Sequence, residues 1–196
     1  MDAGAARPAP GAARPAPGAG PQAFRATLAL LASAVTVISA HDPDTALPRG
    51  MTANAVMSAS LDPPLIVVSV RRGARLHDVL ERAGEYAVTV LGEGQEAQAR
   101  RFAGLPVAAG EPVPVFRYRH GVPVLEGGLA WVVARVADAH RAGDHTLFVG
   151  QVSGLGLDRA LDAPLAFHRS TFGRVTPIAP PPLPAHAWDG LSDVWG

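Results

Sequence analysis

The chain contains no cysteine, which removes disulfides, thiolate nucleophiles and cysteine-ligated metals from consideration. Long apolar runs are also lacking, and no stretch approaches the ~18 residues that a membrane-spanning helix requires. Neither sign of charge dominates. Its 17 basic and 17 acidic side chains cancel to a formal net charge of zero, and the basic residues form no stripe of the kind that holds nucleic acid. The first residues carry no basic segment leading into an apolar one, so they do not read as a secretory signal. The resulting expectation is a soluble cytoplasmic protein. Catalytic signatures are missing as well. No G-x-G-x-x-G follows a strand-like run, so any nicotinamide nucleotide must be held in another way. No H-E-x-x-H and no second histidine at metal-ligand spacing occur, so no metal is expected. No G-x-S-x-G elbow marks a hydrolase.

What is present suits one ordinary domain. The chain has 196 residues, 48% of them hydrophobic, enough for a core. Residues 2–21 are, apart from Asp2, Ala, Pro, Gly and Arg, with GAARPAP written twice in succession. Such a segment buries too little apolar surface to offset its ordering entropy. Residues 1–21 are therefore expected to be a disordered tail, with a docking tail as the alternative. Residues 177–196 hold a second proline cluster followed by Trp188 and Trp195, either a cap on a groove or partner or a mobile tail. The folded domain is expected over 22–176.

Within it, Phe24, Leu28, Leu31 and Val35 recur at helical spacing and predict a helix over 22–33. A strand over 35–40 ends at the turn cluster His41-Asp42-Pro43-Asp44. Residues 50–61 and 65–70 read as two strands split by Asp62-Pro63-Pro64. Leu76, Val79, Leu80 and Ala83 predict a helix, 86–91 a strand, and 94–103 a helix closed by Gly104. The clearest unit is a hairpin, 129–140 and 145–152, around Arg141-Ala142-Gly143-Asp144. Short strands follow near 164–168 and 171–175. Many short strands with Gly/Pro turns favour an antiparallel barrel over a doubly wound parallel sheet.

Four places carry candidate chemistry. In GMTANAVMSASL (50–61), Thr52, Asn54, Ser58 and Ser60 occupy even positions and apolar residues the odd ones, which in a strand gives one hydroxyl/amide face. That face holds no charge and no long side chain, unlike most solvated strand faces. It suits close approach of a ligand rich in oxygen. Arg71, Arg72 and Arg75 sit on a strand-to-helix turn where guanidinium groups and the helix dipole favour phosphate. His77 reads as a packing residue. Arg100-Arg101-Phe102-Ala103-Gly104 closes a helix, where basic residues complement the dipole. Asp144-His145 stands at a hairpin tip.

Taken in order, GMTANAVMSASLDPPLIVVSV (50–70), RRFAG (100–104), PVLEGGLAW (123–131), GDHTLFVGQV (143–152) and PLAFHRSTFGRV (164–175) resemble the flavin reductase family that supplies reduced flavin to two-component monooxygenases. The resemblance covers about three quarters of the chain. It implies a mainly β fold, the FMN-binding split barrel, a six-stranded antiparallel Greek-key barrel with flanking helices, usually a homodimer. It implies FMN or FAD and NADH or NADPH as cofactors, and a partner monooxygenase. Thr52, Ala53 and Asn54 match the segment beside the isoalloxazine ring, and Ser58 and Ser60 the Ser-x-Ser at the ribityl or phosphate. Ser69 and Arg71 fall where the next strand passes the flavin. Phe102 and Ala103 match the loop that closes over it. His145 matches the histidine near the nicotinamide and is the residue expected to act in catalysis, and Phe172 the aromatic beside it. Where the family often reads Ser-x-Thr-His, this chain has Ala74-Arg75-Leu76-His77, with Arg75 in place to hold phosphate. The alternatives are an oxidase like the pyridoxamine phosphate oxidases, or a flavin- or haem-binding module without turnover.

Overall fold

Strands dominate because runs of Val, Ile and Thr recur between turn residues, and each such run pairs with a neighbour. The computed structural model describes residues 20–158 and 163–176. Of the two expected tails only Gly20 and Pro21 are among the described residues; the rest of 1–21 and all of 177–196 lie outside them. Seven strands form the main sheet: β2 Thr36–Asp42, β3 Leu47–Ala53, β4 Val56–Leu61, β5 Pro64–Arg71, β6 Glu85–Val90, β9 Ala130–Ala142 and β10 His145–Leu157. Their spatial order is β3-β2-β6-β9-β10-β5-β4, and every neighbouring pair is antiparallel. A short β1 (Ser33–Ala34) joins β11 (Leu165–His168) and β12 (Thr171–Arg174), and β7 (Phe116–Arg119) pairs with β8 (Val122–Leu125).

The two edge strands explain the shape. β3 and β4 lie at opposite ends of the strand order, yet only Asn54 and Ala55 separate them along the chain. Seven flat strands would hold the edges roughly 29 Å apart at about 4.8 Å per step. A two-residue link spans at most about 11 Å. The sheet must therefore curl until its edges meet, and the Ser69 N–H donates to the Ala55 carbonyl at 3.0 Å, extending the β4–β5 ladder up to the link. The result is a barrel left split between β3 and β4, the expected split barrel with seven strands in its main sheet rather than six.

Sheet register sorts the side chains onto two faces. Inward point Ile38, Ala40, Val68, Val70, Tyr86, Val88, Ala134 and Phe148, and helix α2 (Arg75–Ala83) fills the concavity with Leu76, Val79 and Leu80. Gly150 makes room for Tyr86, because a Cβ there would collide with the phenol. Outward, α3 (Glu96–Phe102) and the β11–β12 hairpin cover Val35, Val37 and Leu91. The β7–β8 hairpin covers Ala87, Trp131 and Val133 with Val122 and Val124. Among the described residues, the outer face of β10, β5 and β4 has no such cover.

Several boundaries differ from expectation. The first helix, α1, spans only Pro21–Leu28 and buries no residue, because Val35 belongs to the core beside β2 rather than to a helical stripe. Residues 93–95 form a 3₁₀ turn before α3. The single strand expected over 50–61 is two strands, broken at Asn54–Ala55 where the chain crosses from one sheet edge to the other. Hence the hydroxyl face is not continuous. A bulge between Ser58 and Ser60 pairs Ser58 with Ile66 but Ser60 with Leu65. Adjacent residues on β5 face opposite ways, so the two serines lie on opposite faces of the sheet.

Candidate functional site

The site grows from the failure of the sheet to close. β3 and β4 each pair on one side only, which leaves main-chain donors and acceptors along the split available to a ligand. On the β3 side, the Thr52 hydroxyl donates to the Ala99 carbonyl of α3 at 2.6 Å. The Thr36 hydroxyl donates to the Ala53 carbonyl at 2.7 Å. These bonds fix α3 over the strand and carry the chain past Gly104, at φ +71°, into a wall made of Ala103 and Leu105.

Opposite stands the β11–β12 hairpin. Its register sets Phe167 beside Phe172, with ring centroids 5.4 Å apart in an edge-to-face contact. The Arg100 guanidinium lies 5.6 Å from the Phe172 centroid, a cation–π contact, while its Nε donates to Glu96 at 2.7 Å. The cleft between them measures about 210 Å³ and is lined by Val35, Thr52, Ala53, Asn54, Ala103, Leu105, Phe167 and Phe172. Thus Thr52, Ala53, Asn54, Ala103 and Phe172, singled out on separate motifs, meet in one place. Phe102 does not line it. Its ring packs edge-on to Phe116 at 5.9 Å and against Gly50, where a Cβ would stand 2.8 Å from the ring. It props the cleft from behind. Val35, Leu105 and Phe167 were not anticipated, although Phe167 shares a motif with Phe172.

A second group continues along the uncovered outer face. Cross-strand pairing sets Ser69 beside Leu147 and Arg71 beside His145, and paired residues share a face. Ser69 is joined to the split through its N–H bond to Ala55. Ser60, opposite Leu65, shares this outer face toward the far end of β5, whereas Ser58 shares the inner face of Ile66 and Val68. His145 Nδ1 lies 2.8 Å from Asp144 Oδ1. That hydrogen bond, aided by the positive charge of His145 and Arg71, holds the Asp144 carboxyl below its ordinary value against the opposing effect of burial. An ionised carboxylate only accepts, so Nδ1 carries the proton and Nε2 is the ring nitrogen left to meet a ligand.

The three arginines after β5 part company. Arg72 donates to the Gly143 carbonyl at 2.9 Å through Nη2, and its N–H donates to the Asp144 carbonyl at 3.0 Å. It fastens the hairpin tip. Arg71 remains exposed on the outer face, and Arg75 is exposed as the first residue of α2, which has no side-chain cap. His77 is buried. Its Nε2 lies 2.8 Å from the Thr146 hydroxyl, and its ring meets Phe148 edge-on at 5.5 Å. Asp78 and Glu81 bring carboxylates near it. Asp78 faces Nδ1 while Glu81 and Thr146 face Nε2.

Comparison with known proteins agrees with this geometry. A family model described as a flavin reductase like domain matches residues 28–176. An NADH-dependent flavin reductase of Rhodococcus sp. is 42% identical over 154 residues, covering 78% of this chain and 85% of that protein. Among solved structures, the flavin reductase PheA2 in its native state superposes with a TM-score of 0.74 at 32% identity, covering 81% of this chain and 99% of that one. The styrene monooxygenase flavin reductase of Pseudomonas putida S12 gives 0.70 at 35% identity, covering 82% and 99%. A split barrel, a cleft at its split and these likenesses lead to one conclusion: the chain belongs to the flavin reductase-like family.

Proposed function

We propose that this chain is an NADH-dependent flavin reductase that takes FMN or FAD into the cleft at the barrel split and releases reduced flavin to a partner monooxygenase. The observation that carries this reading is the convergence of Thr52, Ala53, Asn54, Ala103 and Phe172 on one cleft. Its surfaces fit a flavin. The ring system is flat and apolar on its faces, which matches Val35, Leu105, Phe167 and Phe172. Its edge carries alternating donors and acceptors, which matches unpaired main chain along β3 and β4. At about 210 Å³ the cleft is smaller than the roughly 300–1,000 Å³ of sites that engulf a ligand. It grips part of the flavin and leaves the remainder on the open face, as suits a molecule that must come and go.

With both nucleotides bound, hydride passes from nicotinamide C4 to flavin N5, chemistry that belongs to the cofactors. The protein's part is to stack and orient them. Asn54 and the main chain at the split bind the flavin edge. Ser60, Ser69 and Arg71 face the ribityl and phosphate, with Arg75 at the start of α2 as a further cation. Ser58 opens on the other face and contributes less. Phe102 fixes the loop that carries Ala103. His145, held by Asp144, positions the nicotinamide with Nε2, and Phe172 packs beside it. The active unit is a homodimer, and the compartment is the cytoplasm, where NADH is plentiful. No helix among the described residues is long and apolar enough to cross a membrane.

The test is direct. Protein, NADH and FMN or FAD are mixed in air, and the nicotinamide absorbance band is followed. Loss of NADH that requires both protein and flavin is the expected result. Loss only on adding an organic substrate, or none at all, overturns the reading.

A further inference from the structure

Of the three α-helices described, only α1 buries no residue. Its large apolar side chains are nonetheless aligned. Phe24 and Leu28 lie one turn apart, and Leu31 follows in the turn that closes the helix, where its N–H donates to the Leu28 carbonyl at 3.1 Å. These three side chains are 62%, 42% and 65% exposed. Helices shorter than about 12–15 residues are marginal in water and are held in proteins by packing an apolar face. Among the described residues, the eight-residue α1 has no such packing.

The end of α1 adjoins a groove. The Arg169 N–H donates to the Ala29 carbonyl at 2.7 Å, and Ala32 continues into a depression of about 600 Å³ on the β11–β12 hairpin, floored by Ala166 and Gly173 and bordered by Arg169, Arg174 and Val175. Residues 20–34 and 163–176 contain no Asp or Glu, so the potential here is positive in a chain of zero formal net charge. The sequence beyond Val175 has the complementary character. Asp189 and Asp193 are the only Asp, Glu, Lys or Arg in residues 177–196, and residues 188–195 hold Trp188, Leu191, Val194 and Trp195. Trp188, Leu191 and Trp195 keep the i, i+3, i+7 spacing of one apolar stripe. The intervening sequence is rich in proline, which favours an extended spacer of roughly 3.1 Å per residue. From Val175, at the groove itself, such a spacer carries Trp188 up to roughly 40 Å, ample for a helix only about 12 Å long.

We infer that residues 188–195 are an intramolecular strap, which folds back over α1 and the adjoining groove. Its indoles cover Phe24, Leu28 and Leu31, and Asp189 and Asp193 lie toward Arg169 and Arg174. The strap supplies the apolar partner that α1 lacks, and its charge matches the rim it crosses. It does not depend on the proposed reductase function. Phe172 lines both this groove and the cleft, so the strap braces the cleft wall from outside.

The full-length wild type is compared with two full-length double variants, Trp188→Ala/Trp195→Ala in the strap and Leu28→Glu/Leu31→Glu on the α1 side. Hydrogen exchange over residues 21–31 is read by mass spectrometry. Acrylamide quenching of tryptophan emission is measured in the wild type and the α1 variant. The chain has three tryptophans and Trp131 is buried, so the other two report on the strap. In the strap variant, α1 amides should exchange about ten-fold faster than in the wild type, as local opening becomes easier. In the α1 variant, quenching should rise several-fold, toward that of a synthetic peptide of residues 177–196. The strap substitutions lie outside the folded domain, so the exchange result stands even if the α1 variant folds poorly. Equal α1 exchange in wild type and strap variant overturns the inference, as does wild-type quenching as free as the peptide's. Protection of α1 that depends on protein concentration, or a variant of lower mass by light scattering, assigns the cover to a second copy and also overturns it.

Discussion

Residues 145 and 146 are neighbours on one strand, and they serve opposite ends. Thr146 faces inward, 3% exposed, and bonds the buried His77 beside Phe148. His145 faces outward, opposite Arg71, bonded to an exposed Asp144. The histidine chosen as a packing residue and the one chosen for the site thus stand on the two faces of one ladder. The inner face is filled by α2 and has no room for a ligand. Among the described residues the outer face is free, because α3, β7–β8 and β11–β12 cover only its other half. Burial therefore decides the role of each histidine, since both have hydrogen-bond partners. If this division holds, inner-face changes cost stability and outer-face changes cost function.

The largest expected effect is on the inner face. Phe148 is fully buried, and Phe148→Ala should lower unfolding free energy by about 3–5 kcal/mol through lost burial and a residual cavity. Urea unfolding measures it. A loss below about 1 kcal/mol would mean that the inner face is not the core. On the outer face, His145→Ala should leave the urea midpoint nearly unchanged, because surface substitutions usually fall within ±0.5 kcal/mol. Its effect should appear in kcat/KM for NADH. Losing one contact costs about 0.5–1.5 kcal/mol, or up to about 3 if charge-assisted, which is roughly a two- to hundred-fold fall. Equal anaerobic flavin reduction by variant and wild type would demote His145 to a turn residue.

A smaller effect tests the bulge. Ser60→Ala should weaken flavin binding by about 0.5–1.5 kcal/mol, the scale of one neutral hydrogen bond, while Ser58→Ala should change it by less than half as much. Fluorescence titration of the two single variants checks this. Equal losses would mean that the edge strand presents both hydroxyls to the ligand and that the two-face division fails there.

The division was only partly legible in the sequence. The apolar runs behind β2, β5, β6 and β10 announced themselves, and so did the hairpin joining β9 to β10, because each strand's pattern is set locally. The crossing at Asn54–Ala55 was not legible. No Gly or Pro marks it, and the inward set shifts from Met51 and Ala53 to Val56 only because the chain changes sheet edges. The bulge at Ser58–Ser60 is likewise a property of pairing with β5. The β7–β8 hairpin was missed because its strands have four residues each and follow a Pro-rich stretch, although His120-Gly121, both at positive φ, is a two-residue turn signal. Site residues were legible as motifs, but their meeting point was not. Phe167 enters the cleft only through its cross-strand pairing with Phe172.

The smallest effect concerns the tether of His145. The Asp144 carboxyl is held below its ordinary value chiefly by the hydrogen bond from His145. A group whose pKa is depressed on folding adds stability above its unfolded pKa and loses it as pH falls through the folded one. The contribution from Asp144 is thus complete at neutral pH and disappears in acid, below the usual carboxylate range. Asp144 is exposed, so solvent screens the interaction and the stability change is slight. Asp144→Asn should accordingly unfold at nearly the same urea concentration as wild type at pH 7, with any difference closing on acidification. Its catalytic consequence is the more telling one. An Asn carbonyl still accepts from Nδ1–H, but without the charge it holds the tautomer less firmly, so Nε2 is presented to the nicotinamide less often. KM for NADH should rise by a few-fold, within the roughly 0.5–1.5 kcal/mol of a neutral hydrogen bond, while FMN affinity stays constant. A stability gap between variant and wild type that widened toward low pH would have the wrong sign, and would show that Asp144 is not held ionised by the fold.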